Sequence, residues 1–178
     1  MLLPTPSILL KTISSGVIAP HGITDLVHAI QNNKINEINK IYVATTGSVV
    51  LLDIFDQHFL IEFLFFVFSI IHFQHDVPLN NKTMRYFITS SMLLTCILYD
   101  PNLLYFYLTF IHVPQHYKTN WNMLHKTKEL SIFIISTTTF ASLLFINELS
   151  FENTFSIDLI KGIIISHIIY QEKYILTT

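Results

Sequence analysis

Hydrophobic residues fall into about seven runs separated by short polar stretches. In the clearest run, Phe59–Phe73, apolar side chains occupy the whole circumference of a helix. A helix that is apolar on every side is typical of a membrane span or of a deeply buried core. Several runs are shorter than the roughly 20 residues of a full crossing, and the number of spans is six if the first does not cross. The predicted helices are Ser7–Ile30, Ile41–Leu52, Phe59–Phe73, Tyr86–Leu98, Leu103–His116, Leu130–Ile146 and Ile157–Tyr170.

The polar stretches predict where these helices end. Pro101 suits the first turn of a new helix, whereas Pro114 should kink the helix that contains it. The chain has no internal repeat, and 178 residues fit a single domain, 1–178. After an irregular lead at Met1–Pro6, we expect loops or turns at Gln31–Lys40, Asp53–His58, Val77–Arg85, Tyr99–Asn102, Tyr117–Lys128 and Asn147–Ser156.

Composition assigns these helices to a lipid environment. The chain is 51% hydrophobic and 12% charged, and its mean hydropathy is +0.51. A soluble domain usually carries about 25% charged residues. The sequence therefore predicts an all-α, polytopic integral membrane bundle with the lipid bilayer as its solvent. A net charge of -2 and the lack of a basic patch argue against a nucleic-acid partner.

The loop charges predict the orientation of the bundle. Positive residues in short loops mark the cytoplasmic side of a membrane protein. Alternate loops and the tail hold Lys34, Lys40, Lys82, Arg85, Lys118, Lys126, Lys128 and Lys173. The intervening loops hold no Lys or Arg. Their acidic residues are Asp53, Asp56, Asp100, Glu148 and Glu152. We therefore expect the N-terminus outside and the C-terminus in the cytoplasm.

The strongest chemical signal is the pair His112 and His116 in an apolar run. Residues four apart share a helix face, so both imidazoles can reach one point. Neutral imidazole is the commonest transition-metal ligand in proteins. In the predicted topology the inner ends of three other helices carry more candidates, which are His21, His28, His72, His75 and His167. Taken singly, each of these histidines could instead bond a carbonyl or link two helices.

Two carboxylates have a spacing that suits the orientation of such ligands. Asp25 follows His21 by four residues, and Asp76 follows His72 by four. A carboxylate that accepts the second ring N–H fixes the orientation of a metal-bound imidazole. The alternative for each is a helix cap or a solvated helix end. Glu62, the one charge inside Phe59–Phe73, is either buried and protonated or faces a cavity.

At these residues the sequence resembles the Brp/Blh family of bacterial and archaeal membrane β-carotene dioxygenases. The most specific match is Asp100–His116, which is similar to the family's D-P-L-L followed by W-H-S-P-R-H. Pro20–Asp25 resembles the early H-G-x-x-D motif, and Ile71–Asp76 resembles the H-F/W-G segment. Ser166–Ile169 resembles the late P-H-M-L segment more weakly. The matches keep the order of the family's motifs.

The resemblance implies a non-haem Fe(2+) enzyme that uses O2 to cleave the central double bond of β-carotene into two molecules of retinal. Such a β-carotene 15,15'-dioxygenase-like activity implies a functional link to a retinal-binding rhodopsin. Carried over position by position, the iron ligands and catalytic residues are His21, His72, His112 and His116. Residues that would orient these ligands, or replace one of them, are Asp25, Asp76, His75 and His167.

Several features depart from the family pattern. The chain is shorter between His72 and His112, and Gln74, Ile111 and Gln115 replace the family's Gly, Trp and Arg. Two alternatives therefore stay open. One is another membrane iron enzyme acting on lipid, such as a desaturase or hydroxylase, although those usually carry repeated His boxes. The other is a non-enzymatic membrane protein that binds haem, a metal or a carotenoid.

Overall fold

The computed structural model describes residues 18, 20–100, 102–145 and 154–176. Every regular element in these ranges is a helix, and none of the described residues lies in a strand. The elements are α1 (Thr24–Gln31), α2 (Ile35–Ile54), α3 (His58–Phe73), α4 (Lys82–Leu98), α5 (Asn102–Tyr107), α6 (Val113–Lys126), α7 (Lys128–Phe145) and α8 (Thr154–Tyr174). A 3₁₀ turn, Gln74–Asp76, follows α3, and a π-helical segment, Leu108–His112, joins α5 to α6.

Most of the predicted helices are found, including the central one. The all-α class is confirmed, and α3 covers the whole of Phe59–Phe73. His58–Asp76 is the one helical stretch among the described residues that is long and apolar enough to cross a membrane. Only 28% of its hydrophobic window is buried inside the protein, which is little for the core helix of a soluble domain. Met1–Pro6, half of the Ser7–Ile30 segment, and Glu148 and Glu152 lie outside the described residues.

Two predicted loops are wrong because amphipathic helices occupy them. The polar stretch Gln31–Lys40 contains only a short turn, and α2 begins at Ile35 so that Ile38 can be buried. Tyr117–Lys128 is helical as far as Lys126. In α6 the buried residues recur at helical spacing, Val113, His116, Asn120 and Leu124, while charged residues face outward. The polarity of one face was mistaken for a loop.

Helix α8 occupies the centre of the bundle and packs most closely on α2. The contact uses small residues: a Cβ on Gly162 would lie 3.2 Å from Val49 Cβ and 3.3 Å from Thr46 Cα. One turn later, Ser166 Oγ lies 3.1 Å from Thr46 Oγ1. Small residues four apart let two helix backbones approach closely, as is common between membrane helices. This approach brings the C-terminal half of α8 next to α1 and α3.

The buried apolar side chains form three small clusters rather than one large core. They are centred on Tyr170 between α1, α2 and α8, on Ile61 between α2, α3 and α8, and on Phe73 between α3, α4 and α5. Large apolar side chains also cover the outside, with Phe59 85% and Val43 75% exposed. An outer surface of this kind suits a lipid solvent better than water.

Pro114 changes the helix differently from the predicted kink. It lies at the start of α6, and the turn before it widens to π-helical spacing, with the Val113 N–H bonded to the Leu108 carbonyl. A proline ring clashes with the carbonyl four residues earlier in a regular α-helix. The wider turn relieves that clash while the helix continues past Pro114.

The packing of α8 on α2 leads to a stability prediction. Gly162→Leu should destabilise the protein by about 1–3 kcal/mol, because the side chain must displace Val49 and the α2 backbone. Cys96 is the only cysteine of the chain and is buried, so a thiol-reactive dye added during heating of the detergent-solubilised protein reports unfolding.

Gly47→Ala is the matched control, because no atom lies within 4 Å of a Cβ at that position. Alanine is favoured over glycine in a helix by about 1 kcal/mol, so this variant should be neutral or slightly more stable. Equal unfolding temperatures for Gly162→Leu and Gly47→Ala would contradict the close α2–α8 contact.

Candidate metal centre

Five histidines from four parts of the chain converge at one point. His21 precedes α1, His72 lies in the last turn of α3, and His167 lies in α8. His112 ends the π-helical segment and His116 lies one turn later in α6. All five are at least nine-tenths buried. The structure therefore brings together the four histidines predicted as ligands and adds His167, which the sequence offered as an alternative.

The spacing of the rings matches that of imidazoles around a single ion. Eight pairs of the five rings have centroids between 4.5 and 5.7 Å apart. With a metal–nitrogen bond of about 2.1 Å, two imidazoles separated by an angle of roughly 90–120° have centroids roughly 4.6–5.6 Å apart. The Nε2 atoms of His72 and His116 are 3.0 Å apart. That is about the separation of two nitrogens bound at 90° to one metal.

Oxygen acceptors hold the outer nitrogens of four of the rings. His112 Nδ1 donates to Asp76 Oδ2 at 2.8 Å, and His167 Nδ1 donates to Asp25 Oδ2 at 2.9 Å. His72 Nδ1 lies 3.3 Å from Glu172 Oε1, and His21 Nδ1 donates to the Ile18 carbonyl. Because Nδ1 carries the proton in each case, Nε2 keeps its lone pair. Such a tautomer is the one that a metal ligand requires.

Asp25 and Asp76 contact imidazoles as predicted, but the predicted partners are wrong. Asp25 accepts from His167 rather than His21, and Asp76 accepts from His112 rather than His72. Asp76 lies in the 3₁₀ turn after α3, which removes it from the helix face of His72. A turn at residue 23 separates His21 from α1. Although His21 and Asp25 are four residues apart, they therefore do not lie on one helical face.

Sequence reasoning missed Glu172, which holds His72 and His75 together. Its Oε2 lies 3.2 Å from His75 Nε2, while its Oε1 faces His72. The last helix was predicted to end at Tyr170, which placed Glu172 in a tail. Helix α8 continues to Tyr174. The helical spacing of His167 and Gln171, both buried, is the signal that could have extended it.

Charge balance favours a cation among these residues. The side chains of Asp25 and Asp76 are 1% and 5% exposed. Within the described residues, these two carboxylates form ion pairs with histidine, not with lysine or arginine. A buried carboxylate without a compensating cation is costly. An imidazole that binds a metal is neutral, so in a metal-bound cluster the rings supply no positive charge of their own. A metal ion at their centre would supply it.

The donor set fits a transition metal. Facing nitrogens of His72, His116 and His167 all lie within 4.8 Å of one another, and this group could hold a metal ion. His167 Nε2 is buried without a hydrogen-bond partner among the described residues. An orphaned buried nitrogen in native proteins usually has a ligand or water to bind. Imidazole donors suit iron, copper, zinc or nickel.

A small polar cavity of about 60 Å³ opens beside the cluster. His72, His116, Asp76, Asn120 and Gln171 contribute to its wall. It is large enough for a few water molecules or for O2 and too small for a long hydrocarbon. The cavity therefore leaves room for a small molecule beside His72 and His116.

The remaining histidines are not part of the cluster. His75 lies beside it and contacts Glu172, His28 contacts the Tyr170 hydroxyl at 3.0 Å, and His125 stacks on Trp121. His58 begins α3, 14 residues before His72, and therefore lies roughly 21 Å away along the helix.

His58 belongs to a second polar group, with Asp53 and Asp158, at the opposite end of α3. Lys161 Nζ donates to Asp158 Oδ1 at 2.9 Å and also pairs with Glu62. Glu62, for which the sequence left burial or a cavity open, is thus an exposed ion-pair partner. This group already contains a cation, and it links α2, α3 and α8.

No protein-family profile matches the chain, and comparisons with curated proteins and with solved structures also find no match.

The orientation of His112 by Asp76 can be tested through metal affinity. Asp76→Asn should lower the affinity for Fe(2+) or Co(2+) by about 10–100-fold, because the amide no longer accepts the Nδ1–H as a charged partner. Competition with a chelating dye measures the change. Asp56→Asn, at a carboxylate that is 93% exposed, should leave the affinity unchanged. An equal loss in both variants would contradict the assigned role of Asp76.

Proposed function

We propose that the chain is a membrane-embedded, non-haem iron(II) oxygenase that cleaves β-carotene, or a related carotenoid, with O2 to give retinal. The observation that carries the proposal is the convergence of His21, His72, His112 and His116 in one buried cluster. These are the positions at which the chain resembles the Brp/Blh family. The resemblance rests on those motifs, and the geometry adds that the motif residues are neighbours in space.

In this proposal the protein's part is to hold neutral imidazoles in a dry site. His72 and His112 are each 1% exposed, so bulk water does not compete for their inner nitrogens. Asp76 and Glu172 keep their Nδ1–H groups outward and their lone pairs inward. Bound iron would supply the capacity to activate O2. The small cavity beside His116 gives O2 a route that excludes the hydrocarbon substrate.

A lipid setting supports the choice of substrate class. β-carotene is almost wholly hydrocarbon and dissolves in the bilayer rather than in water. The outer face of α5 and of the π-helical segment is apolar, with Phe106 54%, Phe110 57% and Ile111 46% exposed. We propose that the substrate approaches His112 along this face, and that the chain is a multi-pass protein with its N-terminus outside and its C-terminus cytoplasmic.

The geometry favours a single ion over haem, and the number of histidines argues against a desaturase-like enzyme. A haem would need its flat macrocycle between two imidazoles. Here neighbouring rings contact one another edge to face, with His21 at 4.9 Å from His167 and 5.4 Å from His112. A desaturase-like enzyme would use more histidines than the five gathered here. A metal or carotenoid carrier would share the site but not turn over.

The proposed topology predicts which loops react with an impermeant thiol reagent on whole cells. In a Cys96→Ser background, Gln57→Cys should be labelled from outside, because the turn after α2 faces outward in this topology. Asn80→Cys, exposed in the turn after α3, should be labelled only after permeabilisation. The reverse pattern, or labelling of both in intact cells, would refute the orientation.

Carotenoid cleavage can be tested directly in a bacterial host that accumulates β-carotene. Expression of the chain should bleach the cells and yield retinal on chromatography of the extracted pigment. His116→Ala should remain in the membrane, keep the cells orange and lose its metal, because its ring contacts three of the other imidazoles within 5.3 Å.

His58→Ala is the control for general damage. It removes an imidazole from the same helix as His72 but roughly 21 Å from it, so bleaching should continue. Orange cells with membrane-inserted, iron-loaded protein would refute cleavage of β-carotene, whereas protein without metal would refute the metal site itself.

A further inference from the structure

The surroundings of His167 repeat those of His112. His112 Nδ1 donates to Asp76 Oδ2 at 2.8 Å, and the Tyr107 hydroxyl donates to the same oxygen. His167 Nδ1 donates to Asp25 Oδ2 at 2.9 Å, and the Tyr42 hydroxyl donates to that oxygen, also at 2.9 Å. Each set consists of a tyrosine, an aspartate and a histidine.

The two sets share no helix and no sequence motif. Tyr107 and His112 come from α5 and the π-helical segment, while Asp76 follows α3. Tyr42 comes from α2, Asp25 from α1 and His167 from α8. A common arrangement reached by unrelated backbone geometry indicates a common task, which for His112 is to present Nε2 toward the cluster.

The inner nitrogen of His167 has nothing else to bind. Its Nε2 is buried without a hydrogen-bond partner among the described residues. The ring lies 4.9 Å from His21, 5.5 Å from His72 and 5.7 Å from His116, centroid to centroid. It also belongs to the trio whose ligand atoms lie within 4.8 Å of one another. A histidine that served only in packing would not need an unpaired Nε2 directed at the centre of the imidazole cluster.

Asp25 is held more firmly than a packing role requires. Besides Tyr42 and His167, the Gln171 amide donates to its second oxygen, Oδ1. Three donors on a fully buried carboxylate fix both its position and its charge. The negative charge then favours a cation on the far side of the His167 ring.

We infer that His167 is a fifth ligand of the same ion, positioned by Tyr42 and Asp25 as His112 is positioned by Tyr107 and Asp76. This inference rests on the proposed metal site, but not on the proposed substrate. Five imidazoles leave one position of an octahedral ion for O2, whereas four leave two. Asp25, Tyr42 and Tyr107 are positioning residues, since they act through the imidazoles.

The test uses the full-length protein in detergent, loaded with Co(2+), whose visible absorption strengthens as its coordination number falls. The wild-type protein should show the moderate absorption of a five-coordinate ion. His167→Ala should bind Co(2+) about tenfold more weakly or worse and absorb more strongly. Adding free imidazole should restore the wild-type spectrum, because it can occupy the space of the missing side chain.

Imidazole labelled with nitrogen-15 allows the added ring to be detected directly on the metal. With a Cu(2+)-loaded His167→Ala sample, pulsed electron paramagnetic resonance should detect the labelled ring on the metal. His58→Ala with the same reagent should show no labelled ring. Metal bound by the wild type with an unchanged spectrum in His167→Ala would overturn the fifth ligand and leave the four-histidine site intact. A wild-type protein that binds no metal would overturn the proposed site as well.

The proposed matching roles of Tyr42 and Tyr107 can be tested separately. Tyr42→Phe and Tyr107→Phe each remove one hydrogen bond from an aspartate that orients an imidazole. The aspartate then accepts more strongly from its histidine, and that imidazole becomes a stronger donor to the metal. Both variants should therefore lower the Fe(III)/Fe(II) potential and shift the Co(2+) spectrum in the same direction. Tyr99→Phe, at a residue 83% exposed, should shift neither. A shift in Tyr107→Phe alone would overturn the role given to Tyr42.

Discussion

The structure depends on the placement of buried carboxylates around a cluster of imidazoles. Asp25 and Asp76 are buried and have histidine, not lysine or arginine, as their ion-pair partners within the described chain. Each carboxylate orients a ring, and the rings then face one another at close range. Without a cation this arrangement would combine buried charge with opposed lone pairs, both of which oppose folding. A metal ion at this point would resolve both conflicts, and its binding would then be coupled to folding of the bundle.

The rest of the bundle can be understood from this requirement. Helix α8 supplies His167, Gln171 and Glu172 within two turns, so it must lie centrally, near α1, α2 and α3. Gly162 and Ser166 allow that position because they let α8 approach the backbone of α2. The small apolar clusters are spread around the polar centre, and the larger apolar side chains point outward. A polar centre with an apolar exterior is the arrangement expected of a functional site among membrane helices.

The sequence predicted the helices and the histidine cluster better than the contacts between them. Apolar runs locate α3 and α4, and counting the predicted helices assigned His21, His72, His112 and His167 to one side of the predicted bundle, and the structure brings their rings together. Amphipathic helices were harder, since the polar face of residues 117–126 resembles a loop until its buried face is known. Asp25 and Asp76 were recognised by spacing, but the predicted partners are wrong because spacing assumes one continuous helix. Pairings such as Tyr42 with Asp25 join distant segments and leave no local pattern.

The irregular parts of the backbone lie where the candidate ligands are. The π-helical segment ends at His112, and the 3₁₀ turn ends at Asp76, its hydrogen-bond partner. Pro114 explains the first, because its ring cannot fit behind a regular turn, and the widened turn lets the helix continue to His116. The tighter turn after α3 carries Asp76 off the face of His72 and toward His112. Regular helices alone would have paired each aspartate with the histidine four residues before it. The turn at residue 23 and the 3₁₀ turn after α3 instead distribute the two carboxylates over different imidazoles, so that the rings are oriented from several sides.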